Sequence, residues 1–482
     1  MLPSHPHRSN RLSRRQLLRF GATGLSASSL LQIRSAAAAT KTEQAAPTTG
    51  TTNAFGRAKS CIVLFAWGGM SHIDTLDVKP DASSDIRSIF HPIATRTPGY
   101  YVSEHLPNIA KQTHRMAIVR SVHHNAPSHR SGAYWNLTGH EPPNLSGNWE
   151  ASRDDWPCIG SMVWDAKLNQ HGSDLQQRLS ADGLSGAVCL PYSMYDGGRA
   201  NGQDGGFLGM HRDPMIIKPR EGKPYDGVSP SSGHIDLELV EGLDRDRLSA
   251  RRKLLSQIDA SRDVRTNEGM QGMARHQTQA LDMLLSERVQ RTFDLNSEPA
   301  AIRERYGMHV CGQSVLTARK LTEAGVPLVT VYCSAGDLNG SVGAHWDTHG
   351  DGFNRLKNQM IPPWDQASAA LLDDLSASGR LDETLVVWLT EFGRTPRVNP
   401  GGGRDHYPNV YSVAFAGAGI AGGLVYGKSD RNGAEPLDQP CGPADLHATI
   451  FHSLGISDHF TLYDTLGRPL TACDGRPLPL FA

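Results

Sequence analysis

No two cysteines stand in a Cys-x-x-Cys pair, so nothing suggests a structural zinc knuckle, and the seven cysteines are odd in number. A chain of this length can fold without disulfides, and the thiols are expected to be simply buried. Neither sign of charge is in excess: 48 basic residues face 49 acidic ones, a formal net charge of −1. That balance argues against a nucleic-acid partner and against an electrostatic membrane surface. No apolar run is long enough to span a bilayer. Beyond about residue 58 there is neither an internal repeat nor a low-complexity break, so one large α/β domain is the economical expectation for 58–482.

The first residues read as an address. Ser13-Arg14-Arg15-Gln16-Leu17-Leu18-Arg19 is a twin-arginine pattern, followed by a mildly apolar run from Phe20 to Leu31. Ala36 to Ala39 supply the small residues of a cleavage site. A twin-arginine signal peptide over 1–39 is therefore expected, with the export machinery as a partner and the periplasm or the extracellular space as destination. That route carries folded proteins, which suits a chain that takes up its cofactor before leaving the cytoplasm. The Thr-, Ala-, Gly- and Pro-rich stretch over 40–57 reads as a flexible spacer.

In the rest of the chain, short apolar runs alternate with helical patterns. Cys61 to Trp67, Met116 to Val122, Val326 to Cys333, Thr384 to Leu389 and Tyr411 to Ala416 lack the alternation of a half-exposed sheet and predict buried parallel strands. Helices are predicted over 311–324, 363–378 and 445–454, each followed at once by a glycine, and over 244–258 and 270–293. The fold class is thus α/β: a mostly parallel sheet sandwiched by helices, with inserted loops over about 197–262. In such sheets the ligand site lies beyond the carboxyl ends of the strands.

Three clusters sit where that rule puts a site. Gly68-Gly69-Met70-Ser71-His72-Ile73-Asp74 follows the first strand and offers His72 and Asp74 to a metal or an anion. His123 to Ser131 leads into a helix, with His129 and Arg130 at its start; a helix N-terminus favours anions, and an arginine adds a bidentate clamp. His345-Trp346-Asp347-Thr348-His349-Gly350-Asp351 packs four strong metal ligands into seven residues, and Glu391 and His406 follow. Imidazole with carboxylate is the donor set of Zn²⁺ or Mn²⁺ hydrolytic sites.

These pieces carry a resemblance. GGMSHIDTLDVKPD from Gly68, SHRSGAYWNLTGHEP from Ser128, HWDTHGD from His345, LTEFGRTPR from Leu389, GGGRDHYPN from Gly401 and PADLHATIFHSLGI from Pro443 resemble the domain-of-unknown-function 1501 family, exported bacterial proteins often labelled sulfatase-like. Through that family the chain is similar to the alkaline phosphatase superfamily of sulfatases, phosphodiesterases and cofactor-independent phosphoglycerate mutases. The resemblance implies an alkaline phosphatase-like fold and a metal-dependent hydrolase of phosphate or sulfate esters, small-molecule or glycan, with one or two Zn or Mn ions. It implies metal ligands among His72, Asp74, Asp347, His349, Asp351, Glu391 and His406. Superfamily members carry an Asp at the end of the first strand; this chain has Trp67-Gly68-Gly69 there, so Asp74 or His72 would substitute. Phe392 stands where a second ligand often follows the late-strand acid. The nucleophile's place, nine residues before Thr138 of a Thr-Gly pair, is taken by His129, and no Cys-x-Pro-Ser-Arg motif occurs. His129 is then a metal ligand or itself the nucleophile, with Ser128 and Ser131 as neighbours, Arg130 as anion clamp and His345 as acid or base for the leaving group. The alternative is a catalytically degenerate protein that binds an anionic glycan or serves as an export-coupled partner.

Overall fold

Each of the five apolar runs forms a strand of one central sheet. In chain order the strands are β1 (Ser60–Phe65), β2 (Met116–Val122), β3 (Ala187–Leu190), β4 (Met215–Ile216), β5 (Leu328–Tyr332), β6 (Thr384–Leu389), β7 (Tyr411–Ala416) and β8 (Leu424–Tyr426). They lie in the order β8-β2-β7-β6-β1-β5-β3-β4. The computed structural model describes residues 54–482 except 148, 173–174, 176, 178, 180–181, 218–243, 262–267, 335–336 and 340–343. The expected leader at 1–39, nearly all of the 40–57 spacer and the middle of the 197–262 insert lie outside the described residues.

The sheet is mostly parallel. β1 pairs in parallel with β5 and β6, Val63 lying between Thr330 and Val387, and β3 continues the parallel side through β5 and β4. β7 departs from expectation: it runs antiparallel to both β6 and β2. The connection explains it. No helix intervenes between β6 and β7, only a small hairpin of Gly393–Arg394 against His406–Tyr407, and a parallel return would need a crossover. Burial on both faces hides this from the residue pattern.

Helices cover both faces, which is why the strands read as unbroken apolar runs. Ile62 and Leu64 of β1 enter one core with Val315, Leu316, Trp364 and Leu371. These come from α3 (Val310–Glu323) and α4 (Ile361–Ala377). Cys61, Val63 and Phe65 point the other way, into a core with Ala133, Met162 and Ile450. Those belong to α1 (His129–Thr138), α2 (Ile159–His171) and α5 (Pro443–Ser453). The predicted helix over 270–293 is two, Glu268–Leu285 and Glu287–Phe293, because Ser286 leaves the helix and its side chain accepts from Val289 N. All seven cysteines are buried, free thiols. No helix among the described residues is long and apolar enough to cross a membrane.

This topology aims the clusters at one edge. β1, β2, β5 and β6 all end there, and β7, being antiparallel, begins there. The loops after β1 and β6, the start of α1, the chain after β5 and the hairpin before β7 therefore converge.

Candidate metal centre

The turn after β1 is built for contact with the segment after β5. Gly68 has φ of +114°, and a β-carbon on it would lie 2.4 Å from the Asp347 amide nitrogen. Only glycine allows Asp347 to be pressed against the end of β1 in this way. On the other side, Gly132 of α1 packs on the Glu391 carbonyl. That carbonyl also accepts from His124 Nε2 (2.7 Å) and Asn136 Nδ2 (3.0 Å).

Asp347 Oδ1 is the focus. His349 Nε2 lies 3.0 Å from it, His129 Nε2 3.3 Å and His406 Nε2 3.4 Å. The Nε2 atoms of His349 and His406 are 2.9 Å apart. On the far side of each ring, Nδ1 faces an acceptor: Glu391 Oε1 for His129 at 2.6 Å, Asp405 Oδ1 for His349 at 2.8 Å, and the Pro127 carbonyl for His406 at 2.9 Å. A carbonyl or carboxylate can only accept, so each Nδ1 carries a proton, and each Nε2 presents a lone pair in the neutral ring and a second N–H in the charged one. His129 Nε2 is buried and makes no hydrogen bond; its approach to Asp347 is within ion-pair distance, but misaligned. With the rings neutral, three lone pairs and a carboxylate oxygen face one point and repel one another unless a cation, a proton or a metal ion, lies among them.

The residues fit such a cation. His129, Asp347 and His406 offer ligand atoms all within 4.8 Å of one another, and His349 Nε2 lies beside two of them, Asp347 Oδ1 and His406 Nε2. A tetrahedral ion with arms of about 2.0–2.1 Å has edges of about 3.3 Å, close to the separations above. Imidazoles whose other nitrogen donates to a carboxylate or carbonyl are the usual form of metal-binding histidine.

Electrostatics follow the same geometry. Burial works against a charged Asp347, but the three histidines and Arg394 hold its carboxyl far below the usual range. Arg394 is fully buried; it donates to Asp347 Oδ1 at 2.6 Å, and to the Gly69 carbonyl at 2.9 Å and that of Gly68. Burial lowers His129, yet Asp347 and Glu391 outweigh it and the net shift is upward. His349 is raised by Asp347 against its partial burial, whereas burial leaves His406 lowered. Burial, then Arg355, pushes His345 down to about 4, so its ring is neutral at neutral pH.

Of the residues expected at the site, the structure brings together His129, Asp347, His349 and His406, with Glu391 directly behind His129. Glu391 Oε1 is already engaged by His129 and by the Gly68 amide at 2.8 Å. His72 and Asp74 lie outside the group. His72 Nε2 donates to the Gly433 carbonyl at 2.8 Å, and Asp74 is held by Arg404 at 2.8 and 3.1 Å and by Ser71 at 2.5 Å. Asp351 is exposed and accepts from Asn354. Arg130 donates to the Trp149 carbonyl and Asn201 rather than standing free. Ser131 donates to the carbonyls of Ser128 and Leu145. His345 lies against Arg355. Sequence reading missed Asp405, Pro127 and Arg355; only Asp405, adjacent to His406, left a visible signal.

Residues 58–479 match the family model described as "Protein of unknown function (DUF1501)". The chain belongs to this family. Comparison with curated proteins finds no match. Among solved structures, Ps i-CgsB is matched with a TM-score of 0.38 and 10% identity over 86% of this chain and 74% of that one. The phosphonate monoester hydrolase SpPMH from Silicibacter pomeroyi matches at 0.36 and 12%, over 87% and 76%. PsFucS1 sulfatase from Pseudoalteromonas sp. matches at 0.34 and 13%, over 88% and 72%. Likeness this distant transfers no chemistry.

Proposed function

We propose that this DUF1501 protein is an exported metal-dependent hydrolase of phosphate or sulfate esters. The observation that carries the reading is the convergence of His129, His349 and His406 Nε2 on Asp347 Oδ1, every Nδ1 proton being spent outward. Three nitrogens and one oxygen favour Zn²⁺ over the harder Mn²⁺, and one such point implies one ion. A divalent ion held there would polarise an ester oxygen and offset the charge that builds up in a displacement. The protein's own part is to fix that point. Glu391 orients His129, Asp405 orients His349, and Arg394 keeps Asp347 ionised. His349 is about half exposed, its side chain at 45%, which leaves solvent and a substrate a path to the cluster. His129, wedged between two carboxylates, serves in this reading as a ligand rather than a nucleophile.

Element analysis of the exported, folded protein tests this. About one equivalent of zinc or manganese is expected, lost in Asp347→Ala and His406→Ala, together with hydrolysis of an aryl phosphate or aryl sulfate that depends on the same metal. A wild type that neither contains nor takes up either metal would sink the mechanism. Export by the twin-arginine route is part of the proposal, and Arg14→Lys with Arg15→Lys is expected to leave the protein in the cytoplasm.

The second reading, a binding protein for an anionic glycan, is favoured by one observation: Ser131 is turned to backbone carbonyls and every cysteine is buried, so neither supplies a nucleophile. Tight binding of a sulfated glycan by metal-loaded protein that cleaves no ester would select it.

A further inference from the structure

Arginines withdrawn from solvent in this protein mostly come with carboxylates. Arg394 has Asp347, Arg404 has Asp74, Arg212 has Asp165, and Arg319 has Glu298 and Asp374. Two half-buried arginines beside the cluster are exceptions: Arg130, whose fork is taken up by the Trp149 carbonyl and Asn201, and Arg355. Among the described residues Arg355 pairs with no carboxylate. Its partners are neutral: the Asp347 carbonyl at 2.9 Å, the His345 carbonyl at 3.2 Å and the His345 ring at 3.2 Å. The acid whose charge reaches it most strongly, Asp347, is already committed to Arg394 and three imidazoles. A guanidinium has five N–H donors in a planar fork, and these contacts leave part of that fork unused. A charge withdrawn from water without a counter-charge is costly and is retained where something else supplies one.

The backbone around Arg355 is unusual as well. Asp351 just before it has φ of +48°, and the helix Gly352–Arg355 passes directly into a π-helical turn, Leu356–Met360, before α4. Such turns are less stable than the regular helix and recur at functional sites, where they re-aim a side chain. Arg355 lies between these two irregularities, at the end of the short helical turn that follows the metal-centre loop.

We propose that Arg355 holds the tetrahedral oxyanion group of the substrate beside the metal centre, supplying the cation that its own surroundings leave unpaired. The proposal rests on the metal-centre reading above and names the residue that recognises the anion, a role the sequence pattern assigns to Arg130. Phosphate and sulfate share the required chemistry of a tetrahedral anion with oxygens for a planar donor fork.

The test is calorimetric titration of zinc-loaded protein, freed of excess metal, with inorganic phosphate in one arm and inorganic sulfate in the other. Wild type is expected to bind at least one of them. Arg355→Gln, which keeps donors but removes the charge, is expected to weaken that binding tenfold or more at unchanged zinc content and thermal midpoint. Arg355→Lys is expected to recover part of it, with binding that weakens as salt rises. A loss in Arg355→Gln that is confined to one arm supports the proposal and identifies the oxyanion. Unchanged affinity in Arg355→Gln, zinc lost together with the anion, or a zinc-loaded wild type that binds neither anion would each overturn the proposal. Failure of the hydrolase reading is separable: anion binding that depends on Arg355 without cleavage of any ester leaves this inference standing.

Discussion

At the scale of single residues, what makes the cluster a site is the acceptor behind each imidazole. Glu391 is the most demanding of these, a fully buried carboxylate whose Oε1 serves both the His129 ring and the Gly68 amide. Glu391→Gln keeps the shape but no longer offers a charged acceptor to His129 Nδ1. Loss of such an outer partner typically costs about 10–100-fold in metal affinity, and that loss is expected in zinc titrations against a competing chelator, with the fold intact by circular dichroism. Equal affinity would mean that Glu391 is not needed to orient His129. The residue types of the site were legible in the sequence, because His345 to Asp351, Glu391 and His406 are ligand-rich. Their division of labour was not. Whether a carboxylate oxygen is free depends on partners far away in the chain, such as Arg404, which claims Asp74 from 330 positions on.

At the scale of elements, the site depends on the contact between the turn after β1 and the segment carrying Asp347. Gly68→Ala would place a β-carbon 2.4 Å from the Asp347 nitrogen at a φ of +114°. Gly99 offers a control, with φ of +77° and no atom within 4 Å of where a β-carbon would lie. Gly99→Ala should cost about 1–2 kcal/mol from backbone conformation alone. Gly68→Ala should cost about 2 kcal/mol more by urea unfolding, and should also lower metal content. Equal costs would mean that the turn relaxes without disturbing Asp347. Strands of this kind are easy to read: β2, β6 and β7 occupy the predicted residues, since burial on both faces leaves an unbroken apolar run. Direction was harder, because β7 carries the same pattern whichever way it runs. β4 and β8, with two and three residues at the sheet's edges, are too short to give a pattern at all, and α2, buried along most of its length, shows no one-sided apolar stripe.

At the scale of the whole molecule, burial that shapes the core also sets how the protein responds to acid. His447 on α5 is buried against α1, its Nε2 donating to the Asn136 carbonyl at 2.9 Å. Burial pushes its pKa down from 6.5 to about 4, and His124, just past the end of β2, is pushed down to about 4 for the same reason. In the unfolded chain both titrate near 6.5. Below that pH the unfolded state takes up protons that the folded state refuses until about pH 4. Stability contributed by neutral burial is therefore complete above pH 6.5 and is lost as pH falls toward 4. Each group accounts for on the order of 3 kcal/mol over that interval. His447→Gln keeps a donor for Asn136 but has nothing to protonate. Its urea midpoint is expected to fall less steeply than that of the wild type between pH 6.5 and 4, even if it starts lower. If the argument holds, the difference between the two curves shifts in the variant's favour toward acid, since only the wild type has a group here that the unfolded chain protonates first. Parallel curves would instead assign the acid sensitivity to other groups, with His124, clamped to the Glu391 carbonyl, the next to replace.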